Sequence, residues 1–473
     1  MRDFVFFFLN GKPVEVRREA AGQMLSDFLR DERRLVGTKV VCAEGDCGAC
    51  SVLRRFPLGA SRKGFEAVNS CITTLAQMDG SSLVTVEALS EDGLSPIQDA
   101  MVKCHASQCG FCTPGFVMAL SGLVESKLGK GAEKIVEKDA KNALTGNLCR
   151  CTGYQPILDA AASINVKSCS PLAPRFYNTA IQKKLKAIVA DPIEIKTERF
   201  SFFAPTSAKA ASTALGRLSK ARILGAGTDL GVLVSKNKLR YENLMSLHLI
   251  PDLYTNKKKG NRLAVGSRVT LAELRRLAKK SIPELARFLD LFASPQIKNV
   301  ATLAGNLVNA SPIADTPPFL LVAGTVIHVH GAKGPRSIPI EKFFLEYRKT
   351  ALKPGEWVKE IEFDIPAENE ILTLKKVSQR KDLDISCVNA AFRLLPQSKE
   401  VRLALGGVAS VPVRLYKTEA FLKKHSLNPE AFPSALKFAQ DEIEPLSDLR
   451  GTAAFRRILV ENLLQQFLGD IPR

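Results

Sequence analysis

Cys42, Cys47 and Cys50 lie in the stretch VCAEGDCGACSV at spacing C-x4-C-x2-C, and Cys71 follows beyond a predicted strand, loop and return strand. This is the plant-type spacing for thiolates that share a 2Fe-2S cluster, a carrier of single electrons. Three thiolates leaving one loop must converge on one small core, so the loop has to curl. Gly45 and Gly48 supply the backbone freedom for that, and the small Ala43 and Ala49 let N–H groups approach the sulfurs. Zinc favours paired C-x2-C knuckles and disulfides need an oxidising compartment, so both fit this spacing less well.

A second set stands further on, with Cys109 and Cys112 in QCGFCTPG and Cys149 and Cys151 in GNLCRCTGY. Thr113 as cap and Pro114 at the first helical position predict a helix over Gly115 to about Lys127, and the second pair precedes a helical run at Gln155 to Ser163. Two cysteine pairs at two helix N-termini place thiolates where the positive end of each macrodipole favours an anionic cluster. A C-x-C pair is too tight for a zinc knuckle, so the set reads as a second 2Fe-2S site. Cys104 lies near enough to Cys109 in sequence to compete as a ligand. Like Cys169 and Cys387, it reads as a small buried hydrophobe.

The elements that must position these thiols follow from the pattern. Nine of the eleven cysteines fall before residue 152 in a chain of 473 residues, which points to metal chemistry rather than stapling. A chain of this length accommodates about three domains. Phe4 to Leu9 and Val14 to Val16 predict a strand pair around an Asn10-Gly11 turn, and Met24 to Asp31 a helix with Leu25, Phe28 and Leu29 on one face. Ser51 to Phe56, Glu66 to Asn69 and Val84 to Glu87 complete a small mixed sheet. The expected segments are 1–88 with that sheet, 89–165 helical, 166–193 a linker without a periodic core, 194–368 alternating strands and helices, and 369–473. The last segment opens on strands at Leu374 to Gln379, Ser386 to Leu394 and Val401 to Val408. It ends on a helix at Thr452 to Leu468, with Phe455, Ile458, Leu459, Leu463 and Phe467 on one face. The fold class is multidomain α+β. Phe4 to Leu9 is too short for a signal peptide and no window reaches the length of a membrane span, so a cytoplasmic protein is expected. The net charge of +19 is scattered, without aromatic interleaving. This argues for a solvated basic surface or an acidic partner and against nucleic acid or membrane binding.

In the second half, Arg222 to Leu224 predicts a strand running into Gly225-Ala226-Gly227-Thr228-Asp229. Such a turn can present successive N–H groups to a pyrophosphate, although it lacks the G-x-G-x-x-G fingerprint and an ordinary turn satisfies the same residues. The segment ATLAGNLVNASPIAD, residues 301–315, sets Thr302, Asn306, Asn309 and Ser311 around Gly305 in apolar surroundings. It reads as a ligand wall or as a polar strand edge. With five histidines in all, no group reads as a nucleophile with its base and orienter.

QCGFCTPG and GNLCRCTGY, together with ILGAGTDL, FASPQIKNVATLAGNLVNASPIAD and KKVSQRKDLDIS, resemble the iron-sulfur and flavin subunits of the molybdenum hydroxylase family, of the bacterial xanthine dehydrogenase type. The likeness runs over nearly the whole chain. It departs at Val41 and Ala43, and mildly at Ala304, where the family usually has glycine. The resemblance implies a β-grasp 2Fe-2S ferredoxin domain, a four-helix 2Fe-2S domain, an α+β FAD-binding domain of PCMH type and a C-terminal α+β domain of CO dehydrogenase flavoprotein type. It implies that Ile223, Leu224, Gly225, Ala226, Gly227, Thr228, Asp229 and Leu230 hold the FAD diphosphate and that Phe292 lies against the isoalloxazine. Thr302, Asn306, Asn309 and Asp315 would contact the cofactor and Lys375 would sit near the flavin, with the Arg380 to Asp384 loop brought toward it. Gln108 would hydrogen-bond a pterin across a subunit boundary. Electrons from hypoxanthine or xanthine, hydroxylated at a molybdopterin-binding large subunit, would pass through the two 2Fe-2S clusters to FAD and on to NAD, in an assembly of two small and two large subunits. A sister enzyme acting on an aldehyde, nicotinate or another heterocycle, with oxygen or another acceptor, and a zinc-binding scaffold are the alternative readings.

Overall fold

The first hairpin forms because Asn10 and Gly11 both take positive φ, 51° and 78°, the two-residue turn that matches strand twist. It joins β1 (Phe4–Leu9) to β2 (Lys12–Arg17). The computed structural model describes residues 1–59, 64–90, 93–217 and 221–471, so the last two positions expected in the C-terminal segment lie outside the described residues. The chain divides into two units, Met1–Thr255 with Ala293–Ala301, and Asn256–Phe292 with Thr302–Arg473.

In the first unit β3 (Ser51–Arg55), β4 (Glu66–Asn69) and β5 (Ser82–Val84) complete a five-stranded sheet of order β2-β1-β5-β3-β4, in which β1 and β5 run parallel. The unbroken apolar run of β1 reflects burial on both faces. Val5, Phe7 and Leu9 pack with Leu25, Phe28 and Leu29 on one side, while Phe6 and Phe8 join the core of the helical segment on the other. The expected Val84 to Glu87 strand stops early. Thr85 N–H donates to Asn10 Oδ1 (2.9 Å) and Asn10 Nδ2 to Thr85 Oγ1 (3.0 Å), and a 3-10 turn, Val86–Leu89, follows.

The helices Pro96–Lys103, Thr113–Leu128, Glu137–Leu144 and Gln155–Ser163 make up the helical segment. Thr113 is not a cap. It is the first helical residue, behind Cys112, because its hydroxyl donates to Ser107 Oγ (2.9 Å) instead of to its own helix end. The connection over 166–193 is folded, since Ile181, Leu185 and Ile188 in the Thr179–Val189 helix repeat at helical spacing and are buried. Beyond it, strands Ile193–Lys196, Ser201–Ala204, Asn243–Ser246 and Arg222–Leu224 lie side by side in that order, the last three parallel.

The second unit contains an antiparallel sheet of Asn256–Lys259, Arg262–Gly266, Trp357–Asp364, Val326–Gly331 and Gly334–Pro339, in that order. It also contains a four-stranded meander of Ile371–Val377, Val388–Leu395, Glu400–Gly406 and Val413–Arg414. Residues 301–315 are not a strand edge, because Leu303–Val308 is a short helix capped by Thr302. The final helix, Ala453–Gly469, buries Val460, Leu464, Phe467 and Leu468. Phe455 and Ile458 of the expected face stay 45% and 55% exposed. Arg456 sets this rotation. It is buried, and it donates to the Gly407 carbonyl and to Asp448 Oδ1, both at 2.7 Å. No helix of the described residues is long and apolar enough to cross a membrane.

Candidate metal and cofactor site

The loop before β3 brings Cys42, Cys47 and Cys50 together by turning left-handed at three places, Ala43 (φ 51°), Gly45 (77°) and Gly48 (70°). Cys71 comes from the 3-10 turn Ser70–Ile72 after β4. Cys47 N–H donates to Cys42 Sγ (3.4 Å) and Asn69 Nδ2 to Cys50 Sγ (3.8 Å). The thiols are within hydrogen-bonding reach of one another. Cys42 is held far below the usual thiol range by Cys47 and Cys71, and Cys50 is lowered to about 7, first by Cys71. Cys47 and Cys71 are raised as the donating partners. Thiols that already share protons need only lose them to become a convergent anionic ligand set. Among the described residues all the cysteines are free.

The second quartet closes in the same way. Cys151 Sγ donates to Cys109 Sγ at 3.4 Å, and Cys112 bonds Cys149. Burial lifts Cys112 to about 12. For Cys149 burial also pushes upward, but the Thr152 hydroxyl (3.1 Å) and backbone N–H outweigh it and the thiol is lowered. Cys109 and Cys151 are exposed, as is Gln108. Cys104 instead ends the Pro96–Lys103 helix with Ser163 Oγ at 3.9 Å. Cys169 and Cys387 are buried.

The two cysteine loops are stitched to each other. Leu148 N–H donates to the Cys47 carbonyl (3.0 Å) and Asn147 Nδ2 to the Gly48 carbonyl (3.2 Å). A Cβ on Gly48 would sit 2.2 Å from the Gly146 carbonyl, and one on Gly115 2.4 Å from that of Gly48. Gln296 clamps the seam, donating to Asn147 Oδ1 at 2.8 Å and Ser51 Oγ at 3.2 Å.

The glycine-rich turn lies in the first unit. Gly227 is left-handed (φ 73°) and opens the Thr228–Ser235 helix, while Gln77 Nε2 donates to the Ala226 carbonyl at 2.5 Å. The Tyr241 hydroxyl is buried without a partner among the described residues, close enough to Arg222 and Asp229 to feel their charges. An orphaned hydroxyl near Arg222 and Asp229, with a left-handed glycine at the helix start two residues before Asp229, suits a phosphate-bearing ligand.

The other residues expected at FAD lie in the second unit. Phe292 ends the Pro283–Leu291 helix in extended conformation. Thr302 Oγ1 accepts from Gly305 N–H (3.0 Å), Asn306 Oδ1 accepts from the Thr316 hydroxyl (2.6 Å), and Asn309 ends the short helix. Asp315 is buried and receives Lys376 Nζ (2.7 Å), Ser386 Oγ (2.5 Å) and Asn389 Nδ2 (3.2 Å). Lys375 stands beside Lys376 on the Ile371–Val377 strand, and neighbours on a strand point to opposite faces. It is therefore Lys376, its side chain 2% exposed, that reaches Asp315. Lys376, Gln77 and Gln296 join these sites from outside the residues that spacing and motif single out. Only the first left a signal, in the alternation of the strand.

Two thiol quartets on bonded loops, followed by an anion-suited turn, define a two-cluster iron-sulfur flavoprotein. Four family models match in chain order: a 2Fe-2S iron-sulfur cluster binding domain (residues 7–76), a [2Fe-2S] binding domain (85–162), an FAD binding domain in molybdopterin dehydrogenase (198–367) and a CO dehydrogenase flavoprotein C-terminal domain (374–471). Xanthine dehydrogenase of Drosophila pseudoobscura pseudoobscura is 30% identical over 99% of this chain and 39% of its own length. Xanthine dehydrogenase/oxidase of Gallus gallus is 27% identical over 98% and 40%. The chain thus spans about two fifths of the length of these relatives. Among solved structures, carbon monoxide dehydrogenase of Hydrogenophaga pseudoflava (TM-score 0.54, 25% identity) covers 57% of this chain and 96% of its own. Quinoline 2-oxidoreductase of Pseudomonas putida 86 (0.53, 26%) covers 58% and 97%. The chain belongs to the molybdenum hydroxylase family, as its iron-sulfur and flavin portion. It carries two 2Fe-2S domains and an FAD-binding domain, the cofactor set of an electron-transferring oxidoreductase.

Proposed function

We propose that this chain is the electron-transfer portion of a xanthine dehydrogenase, working with a molybdopterin-binding large subunit in an assembly of two small and two large subunits in the cytoplasm. In this reading hypoxanthine or xanthine is hydroxylated on the partner. Segments 1–88 and 89–165 hold the clusters, 194–368 binds FAD, and 369–473 completes the flavin half. When bound, the 2Fe-2S clusters carry single electrons and FAD gathers them in pairs for a two-electron acceptor, NAD.

The chain's own residues hold and orient. Cys42, Cys47, Cys50 and Cys71 would grip one cluster and Cys109, Cys112, Cys149 and Cys151 the other. Gln296, Asn147 and the side-chain-free Gly48 keep the two loops in register and close the seam to water. Ile223 to Leu230 would take the diphosphate, while Phe292, Thr302, Asn306, Asn309, Asp315 and Lys375 would serve the rest of FAD. The bonded seam between the two thiol loops is the observation that carries the reading. The relatives named xanthine dehydrogenase support the substrate.

Co-expression with the partner subunit, followed by iron and flavin analysis and a substrate screen with NAD as acceptor, tests the proposal. Purine-dependent NADH formation supports it, and a colourless protein containing zinc sinks it. Exposed Gln108 beside Cys109 supplies a finer test. Gln108→Ala should slow reduction by the purine and spare reduction of FAD by NADH, and equal loss of both counts against that role. The structural likeness to carbon monoxide dehydrogenase and quinoline 2-oxidoreductase favours a second reading, the same electron path serving a different substrate. The screen separates the two.

A further inference from the structure

The Thr228–Ser235 helix leaves the glycine-rich turn and runs directly against the first thiol quartet. A Cβ on Gly231 would lie 1.9 Å from the Ile72 carbonyl, so the helix approaches the turn carrying Cys71 backbone to backbone. Val232 and Ile297 pack on the group formed by Cys50, Cys71 and Ile72. At the helix end Lys236 reaches over the cysteine loop. Its Nζ donates to the Cys42 carbonyl at 2.6 Å and stands 3.4 Å from Glu44 Oε2.

We propose that Lys236 and Glu44 are an opposed pair of charges that sets the reduction potential of the cluster held by Cys42, Cys47, Cys50 and Cys71. The inference rests on the reading of that quartet as a 2Fe-2S site. Reduction adds one electron, and with it one negative charge, to a core whose thiolates are already anionic. A cation fixed on the loop favours that added charge and an anion opposes it. Lys236 also neutralises the negative end of the Cys42 carbonyl, which belongs to a cluster ligand. Gly231 keeps the cation in place, because any side chain there would push the helix and its lysine outward. Side-chain exposures of 38% and 48% leave both charges partly screened, so their influence weakens as salt rises.

The test is an EPR-monitored redox titration of the full chain with both clusters loaded. Lys236→Gln should lower the equilibrium constant for reduction of this cluster by about three- to tenfold, the upper end being about 59 mV for one electron. Glu44→Gln should raise it, and Lys236→Arg should keep the original value. The cluster of Cys109, Cys112, Cys149 and Cys151 should keep its midpoint throughout, which a general loosening of the fold would not allow. Unchanged midpoints in both neutralised variants, or shifts of the same sign, overturn the proposal. If Lys236→Gln fails to retain iron at this quartet, Glu44→Gln decides alone. A rise supports the pair and no rise refutes it. Absence of a signal from this quartet in the unaltered chain would instead defeat the cluster reading itself.

Discussion

Single residues carry two tensions that can be measured. Ala43 stands at φ 51° in the first cysteine loop, a conformation that costs an L-residue about 1–2 kcal/mol. Ala43→Gly should therefore raise the melting temperature slightly, by the equivalent of about 1 kcal/mol, and thermal unfolding of the two forms checks it. Asp315 and Lys376 present the opposite case, a buried ion pair with the carboxylate further satisfied by Ser386 and Asn389. Asp315→Asn strands the ammonium and should cost about 3–5 kcal/mol, read as a lower denaturant midpoint. Both features show the limits of reading residues from a string. The cysteines announce themselves by spacing, and the structure draws all eight into two groups. Strand alternation sets Lys376 apart from Lys375 by placing it on the face of Leu374, but that its partner there is Asp315 is fixed by packing far away in sequence.

At the level of elements, local chemistry was legible where it acts alone. The Asn10-Gly11 hairpin, the Glu66–Asn69 and Arg222–Leu224 strands and the Gln155–Ser163 helix all follow from turn residues and periodicity. The last helix could not be oriented this way, because a buried Arg456 with distant partners outranks the apolar stripe. The Thr228–Ser235 helix owes its position to a missing side chain. Gly231→Ala forces a methyl into the Ile72 carbonyl and should destabilise by about 1–3 kcal/mol, measured by thermal unfolding. The chain start depends on another buried pair. Arg2 donates to both oxygens of Asp79 at 2.8 and 3.0 Å and to the Ile188 carbonyl at 2.9 Å, joining strand, turn and connecting helix. Burial works against the Asp79 carboxylate, yet Arg2 and His248 win and hold it below its ordinary value. Since the folded form binds that proton less readily than the unfolded chain, the stabilisation is whole above pH about 4 and drains away as pH falls below it. A melting-temperature profile should show this slope, and Asp79→Asn should flatten it.

For the whole molecule, the two quartets are separate in ligands but share a seam, so their losses should be separable by spectroscopy. Cys71→Ser and Cys149→Ser should each remove one of two EPR signals, leave the other, and bring iron content toward half. Loss of both signals from either change would contradict two independent sites. The quartets also differ in depth. Cys50 and Cys71 are buried, whereas Cys109 and Cys151 lie open to solvent. The two inorganic cores should accordingly age at different speeds in air: the outer one is the first to meet dissolved oxidants and bleaches while the inner one keeps its colour. Handling this chain by itself therefore calls for an anaerobic chamber, and the order in which the visible bands fade gives a clock for which core has been lost.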